Sequence, residues 1–222
     1  MIYVTGNIHA DIDRFTSTKI RKLKKNDTLI ICGDFGFIWD GGNLENKTLN
    51  QIGKYKFQTL FIDGTHENFS LLKNYKICEF AGSTAQHVSG NLFRLLRGNV
   101  YSIENKKIFT FGGGVSDDKD YRIESKTWWA EELPSREEME NAKQNLKSNN
   151  YSVDYILTHE PPGHIKSLIE NSICNNNLLN SFFDTVSRET DYKQWFFGSY
   201  HLDKSYTFKH RSIFLDVLPL EN

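Results

Sequence analysis

The chain has 222 residues, of which 38% are hydrophobic and 25% charged, and its formal net charge is −1. A net charge near zero gives no electrostatic reason to expect nucleic-acid binding through a broad basic face. No apolar run approaches the ~20 residues that a membrane helix needs. The length fits one α/β domain over residues 1–222. Three scattered cysteines without a C-x-x-C pair (Cys32, Cys78 and Cys174) and the absence of a basic-then-apolar leader are typical of a cytoplasmic protein with reduced thiols.

The first half of the chain alternates apolar runs with amphipathic segments. The run 29–32 is apolar throughout, which is typical of a strand buried on both faces of a sheet. Alternating strands and helices predict right-handed parallel crossovers. We predict strands at 1–5, 29–32 and 59–62 and helices at 11–25, 44–53 and 68–75.

From residue 77 the pattern changes to short strands separated by glycine turns, which is typical of the crossing between two sheets. It predicts a hairpin of strands 91–96 and 100–103. Ser135 followed by Glu138 is a capping box that opens a helix. The remaining predicted elements are a strand at 108–111, a polar stretch at 117–132, a strand at 155–158, helices around 165–169 and 178–186, a strand at 195–197 and a closing strand at 212–218.

Polar side chains follow five of the predicted strands, at the point where each strand ends. Ligands of open α/β sheets bind beyond these carboxyl ends, so the side chains should converge. Histidine is the commonest metal ligand, and a buried carboxylate needs a cationic partner. The pattern therefore predicts that the polar strand-end residues meet at one edge, with a metal ion as the first candidate for the partner of Asp34. These residues are Asn7, His9, Asp34, Thr65, His66, His159, Ser199 and His201.

The order of these motifs resembles that of the calcineurin-like metallophosphoesterases. This chain has N-x-H, G-D, G-T-H-E, T-H and G-S-x-H, where the family has D-x-H, G-D, G-N-H-E/D, H and G-H-x-H. The resemblance implies a four-layer αββα sandwich of two mixed sheets flanked by helices. It also implies hydrolysis of a small phosphomonoester or phosphodiester by a water activated by one or two divalent ions, such as Mn, Fe or Zn.

The resemblance assigns a role to each strand-end residue. Asp34 would bridge two metals and act in catalysis. His66 would donate a hydrogen bond or proton to the phosphoryl and leaving-group oxygens. The first metal would be held by Asn7, His9 and His201, and the second by Thr65, His159 and Ser199.

Three ligand positions depart from the family pattern. Asn7 replaces an aspartate, Thr65 an asparagine and Ser199 a histidine, and Phe37 stands where many members have a polar residue. One carboxylate offers little charge to two cations. The alternative function is therefore an impaired homologue that binds a phosphorylated ligand or a protein partner without turnover.

Several residues keep two interpretations. Thr65 and Ser199 could be hydrogen-bonding fillers, and a single histidine could belong to the core. Asp63 and Glu67 could form a solvated turn and a helix cap.

The polar stretch 117–132 also has two interpretations. Arg122 is either part of a solvated loop or a ligand of the substrate phosphate, because a guanidinium fits phosphate oxygens. The pair 128–129, two tryptophans, is either a core anchor or a surface for stacking a nucleobase.

Overall fold

A computed structural model describes residues 1–116, 118–171 and 176–221; Asp117 and Cys174 lie outside these ranges. The described strands are β1 (Ile2–Thr5), β2 (Thr28–Cys32), β3 (Gln58–Ile62), β4 (Lys76–Phe80), β5 (Ser83–Ser89), β6 (Leu92–Leu95), β7 (Asn99–Ile103), β8 (Lys106–Phe111), β9 (Tyr155–Thr158), β10 (Gln194–Phe197), β11 (Lys204–Ser205), β12 (His210–Ser212) and β13 (Leu218–Pro219). The helices are α1 (Asp13–Thr16), α2 (Thr18–Arg21), α3 (Asn43–Gly53), α4 (Phe69–Leu72), α5 (Arg136–Ser148), α6 (Gly163–Glu170) and α7 (Leu178–Glu189), with 3₁₀ turns at Lys119–Tyr121 and Ala130–Glu132.

The strands form two mixed sheets. The first has the order β13-β1-β2-β3-β6-β5-β4, and the second has the order β11-β12-β10-β9-β8-β7. The neighbours β1, β2, β3 and β6 are parallel, as are β8, β9, β10 and β12. Antiparallel strands complete both sheets at their edges. The carboxyl ends of the parallel strands in each sheet therefore lie at one edge.

The helices and sheets form four layers, and three apolar cores lie between them. Side chains of both sheets, such as Ile30 and Leu157, form the layer between the sheets. Phe61 of the first sheet packs with residues of α1 to α4 on one outer face, and Phe183 of α7 packs with the second sheet on the other. The expected αββα sandwich is thus present, and β2 is buried along its whole length as its apolar run predicted.

Two predicted strand arrangements are wrong. The segments 91–96 and 100–103 do not pair with each other: β6 pairs with β3 and β5, whereas β7 pairs with β8 in the other sheet. Leu95 and Tyr101 both face the layer between the sheets, so their apolar pattern fits either arrangement. The chain crosses from the first sheet to the second between the end of β6 and the start of β7, within the region where the sequence predicted a crossing.

The closing strand at 212–218 is two short strands in different sheets, β12 and β13. Between them the backbone N–H groups of Phe214, Leu215 and Asp216 donate to the carboxylate of Asp203 at 2.8–3.1 Å. A side chain therefore takes the place of a neighbouring strand along this segment.

The predicted helices differ mainly in length. The segment 11–25 forms α1 and α2, because Ser17 between them is extended (φ −57°, ψ 147°). The capping box is present as expected: Ser135 Oγ accepts from the Glu138 N–H at 3.1 Å, and the Glu138 carboxylate accepts from the Ser135 N–H at 2.7 Å. Among the described residues, no helix is long and apolar enough to cross a membrane.

Candidate metal centre

In the turns that follow β1, β2 and β10, three residues have a left-handed backbone conformation. His9 has φ 51°, Asp34 has φ 38° and His201 has φ 49°. Such values cost about 1–3 kcal/mol for residues other than glycine and are common where function requires a particular side-chain direction. The first two turns are joined, because the N–H groups of Ile8 and His9 donate to the carbonyl oxygen of Asp34 at 3.0 and 2.8 Å.

Asp34 is the centre of this hydrogen-bonded cluster and is 2% exposed. Its Oδ1 accepts from the backbone N–H groups of Thr65 (2.6 Å) and His66 (2.9 Å), and its Oδ2 accepts from Asn7 Nδ2 (3.0 Å). Burial favours the neutral carboxyl, but the nearby His159 and His66 outweigh it and hold the pKa of Asp34 well below its ordinary value. The Asp34 carboxyl group is therefore ionised at neutral pH and can act as a metal ligand.

His9, Asp34 and His201 form a group that could hold a metal ion, with ligand atoms within 4.8 Å of one another. The Nε2 atoms of the two histidines are 2.9 Å apart, and His9 Nε2 is 3.7 Å from Asp34 Oδ2. Burial lowers the pKa of His9 to about 4, against the opposing attraction of Asp34, and also lowers the pKa of His201. Neutral imidazoles with converging nitrogens fit a divalent cation.

Asn7 lies beside this group. Its Nδ2 is 3.1 Å from His201 Nε2, in addition to its bond to Asp34. Its Oδ1 is buried and has no hydrogen-bond partner in the part of the chain that the structure describes. The amide oxygen is a donor atom suited to a hard or borderline cation, whereas the amide nitrogen is the atom that contacts the carboxylate and the imidazole in this structure, so the Asn7 amide would have to turn to coordinate a cation.

The residues assigned to a second metal are also assembled, but with poorer donors. His159 is 2% exposed, and its Nε2 is 3.8 Å from Asp34 Oδ1. Ser199 Oγ is buried and has no hydrogen-bond partner among the described residues, whereas Thr65 Oγ1 is 3.2 Å from His66 Nδ1. The Thr65 hydroxyl is thus engaged by its neighbour, as the filler interpretation expects.

His66 and Arg122 form a contact above the carboxylate. His66 Nδ1 is 3.1 Å from Asp34 Oδ2, and His66 Nε2 is 2.5 Å from Arg122 Nη2. A guanidinium only donates, so Nε2 accepts and the ring proton resides on Nδ1, where it donates to Asp34. The Arg122 side chain is 10% exposed, so the solvated-loop interpretation is wrong for this residue.

Two acidic residues interpreted as a solvated turn and a helix cap are buried, so that interpretation is wrong. Asp63 is fully buried between Arg94 and Arg97, with nitrogen–oxygen distances of 2.7 Å to Arg94 Nη2 and 2.8 Å to Arg97 Nε. Burial alone would raise the pKa of Asp63, but the two arginines together have the larger effect and lower this pKa to about 2. The sequence signal was available, since Asp63 ends an apolar strand in the same way as Asp34.

The second of these residues, Glu67, supports the turn that carries Asp34. Its carboxylate accepts from the backbone N–H of Phe35 at 2.7 Å and more weakly from Gly36 at 3.4 Å. Burial, with the nearby Asp34 and Asp63, raises its pKa well above the ordinary value. This side chain was not predicted to contribute to the site.

The two tryptophans, Trp128 and Trp129, lie in different environments. Trp129 is 4% exposed, donates from Nε1 to Ser70 Oγ at 2.9 Å and packs edge-on against Trp39, so it is a core anchor. Trp128 is partly buried and has the ammonium of Lys119 4.5 Å above its ring. Nucleobase stacking on Trp128 stays a hypothesis.

The chain belongs to the calcineurin-like phosphoesterase family, whose model matches residues 1–210. The fold and the order of its strand-end residues agree with that membership. Members of this family typically depend on divalent metal ions. No curated protein gives a match to this chain.

Proposed function

We propose that this protein hydrolyses a small phosphomonoester or phosphodiester with the help of one or two divalent ions. The observation that carries the proposal is the convergence of three metal-binding side chains with two hydrogen-bond donors. The ligand atoms of His9, Asp34 and His201 lie within 4.8 Å of one another and could hold one cation, and His66 contacts both Asp34 and Arg122.

We assign His9, Asp34, His201 and Asn7 to a first metal and His159, Thr65 and Ser199 to a weaker second one. When bound, the metal would polarise a phosphoryl oxygen and lower the pKa of the attacking water. The nitrogen and carboxylate donors are compatible with Mn, Fe or Zn.

His66 and Arg122 are proposed to act on the phosphoryl group. Arg122 would exchange its contact with His66 Nε2 for substrate phosphate oxygens, which suit a guanidinium better than an imidazole does. This exchange would free Nε2, which would have to take up a proton before it could donate to the phosphoryl or leaving-group oxygen, while Nδ1–H continues to donate to Asp34. Asp34 holds the opposite ring nitrogen at 3.1 Å and so fixes the direction of the imidazole.

The experiment is turnover of an aryl phosphate monoester and an aryl phosphate diester with added Mn²⁺. We expect activity in the unmodified protein, a loss in Asp34→Asn and a large decrease in His66→Ala. Asn141→Asp, at an exposed helical position, is the matched control. Equal rates in all four proteins would contradict the proposal.

A second candidate function is ligand binding without turnover. It is favoured by the contact of Asn7 Nδ2 with Asp34, because an amide donor occupies the position next to the carboxylate where a further negative ligand would strengthen metal binding. Binding of inorganic phosphate by the Mn²⁺-loaded protein, without turnover of either ester, would support this candidate.

Three further expectations belong to the proposal. We propose that residues 1–222 act as one domain, that the partner is a small phosphorylated molecule and that the location is the cytoplasm. The net charge of −1 supports the preference for a small substrate over nucleic acid.

A further inference from the structure

The segment from Asp118 to Leu133 is attached to the rest of the protein near its carboxyl end. Trp129 donates to Ser70 at 2.9 Å. The Glu132 carboxylate accepts from the N–H and the hydroxyl of Ser116 at 2.9 and 2.7 Å. The segment that carries Arg122 is therefore attached to the rest of the protein at Trp129 and at Glu132.

Asp118 forms an ion pair with Arg122 across a single 3₁₀ turn. Arg122 Nε is 2.7 Å from Asp118 Oδ1, and the turn between them is closed by donation from the Tyr121 N–H to the Asp118 carbonyl at 2.9 Å. The Asp118 side chain is 56% exposed, whereas that of Arg122 is 10% exposed. The carboxylate thus binds the guanidinium from the solvent side.

All three guanidinium nitrogens of Arg122 have an acceptor. Nε faces Asp118, Nη2 faces His66 and Nη1 donates to the Thr127 carbonyl at 3.4 Å. The contact with Asp118 uses the Nε corner only. The Nη2 atom, next to His66, therefore remains directed at the centre.

We propose that Asp118 is a positioning residue, which holds the guanidinium of Arg122 next to His66 so that Arg122 meets the substrate phosphate in a fixed orientation. This inference rests on the proposed function, because it takes Arg122 as the phosphate ligand. An arginine side chain that is free to rotate loses much conformational freedom when it binds. Asp118 removes part of that freedom before the substrate arrives.

The test compares Asp118→Asn, Arg122→Gln and the double variant. Asparagine keeps the shape of Asp118 and removes its charge. Because exposed ion pairs contribute little, we expect Asp118→Asn to weaken binding of inorganic phosphate to the Mn²⁺-loaded protein by about 2- to 5-fold and to raise KM by the same factor, with little change in kcat. Arg122→Gln should weaken phosphate binding by about 10- to 100-fold.

The double variant tests whether Asp118 affects phosphate binding only through Arg122. If Asp118 acts only through Arg122, the double variant should bind phosphate no more weakly than Arg122→Gln. Asp120→Asn, at an exposed position of the same turn, should leave phosphate affinity and KM unchanged. Additive losses, or equal effects of the Asp118 and Asp120 variants, would overturn the proposal.

A readout that needs no substrate is the Arg122 Nε–H signal in nitrogen-15 NMR. The ion pair should protect this proton from solvent exchange, and Asp118→Asn should increase its exchange rate. If the unmodified protein binds phosphate and the Asp118 variant matches it in affinity and exchange, this inference fails alone. If the unmodified protein neither binds phosphate nor hydrolyses an ester, the proposed function fails and this inference fails with it.

Discussion

Replacing Asn7 by aspartate changes the charge of the centre with almost no change in shape. In the present structure Asn7 Nδ2 donates to Asp34 Oδ2 at 3.0 Å. In the variant a carboxylate oxygen would face Asp34 at that distance. With an effective dielectric constant of ~20, two unit charges ~3 Å apart repel by about 5.5 kcal/mol.

This repulsion has opposite consequences without and with metal. The metal-free variant should be less stable, and one of its two carboxyl groups should retain a proton near neutral pH. A divalent cation would replace the repulsion by attraction. If metal binding recovers only half of the repulsion, about 2.7 kcal/mol, the affinity for Mn²⁺ increases about 100-fold.

The assay is calorimetric titration with Mn²⁺, together with thermal unfolding in the presence and absence of the metal. Asn141→Asp, which adds the same charge on an exposed helix face, is the control. We expect faster ester cleavage as well. Adding Ser199→His and Thr65→Asn should create a second site, with a gain greater than the sum of the single gains. An Asn7→Asp protein with unchanged or weaker metal affinity would show that Asn7 does not contact the metal.

The unmodified protein should retain about one equivalent of Mn²⁺ on dialysis, because its second-site donors are weak; retention of two equivalents, by elemental analysis, would contradict this. His66→Ala should lower kcat about 100-fold at an unchanged metal affinity, as the loss of one phosphoryl donor typically does; lost metal binding with intact turnover would refute the role of His66. Asp63→Asn should lower the free energy of unfolding by about 3–5 kcal/mol in urea titrations, because the buried Arg94 loses its counter-ion and Arg97 keeps only the more distant Glu138 at 3.4 Å; an unchanged urea midpoint would contradict this. Burial lowers the pKa of His210 to about 4 from the ordinary 6.5, so the unfolded chain binds more protons between these values and stability should fall as the pH is lowered through that range. His210→Gln should flatten this dependence of the urea midpoint on pH, and an equal slope in both proteins would exclude His210 as its source.

Much of the candidate site could be predicted because parallel strands bring their carboxyl ends to one edge. Asp34, His9 and His201 are distant in sequence, yet each follows an apolar run, and the sheet topology brings them within 4.8 Å. The alternation of strands and helices likewise predicted the layered fold. These predictions depend on local patterns and on a general property of α/β sheets.

The remaining features depend on tertiary partners that local patterns do not contain. Asp34 and Asp63 both end an apolar strand, but Asp63 meets Arg94 and Arg97 of a later strand and turn and so forms an ion pair. The hairpin prediction was wrong for the same kind of reason. An apolar face that packs between two sheets has the same pattern on either of them, and only the pairing distinguishes them.

The hydrogen bonds of Asp34 explain why the lost charges should weaken metal binding rather than abolish the site. Four donors surround its two oxygens: the N–H groups of Thr65 and His66, the Asn7 amide and the His66 ring. The carboxylate is thus stabilised as an anion by the protein itself. Of these donors, the Asn7 amide also contacts the imidazole of His201, a proposed metal ligand, so a cation must compete with it for both groups. Asn7 can bind the cation only after its amide turns to present the oxygen, whereas a carboxylate at position 7 would present an oxygen in either orientation, and the two backbone donors would still hold Asp34 in place.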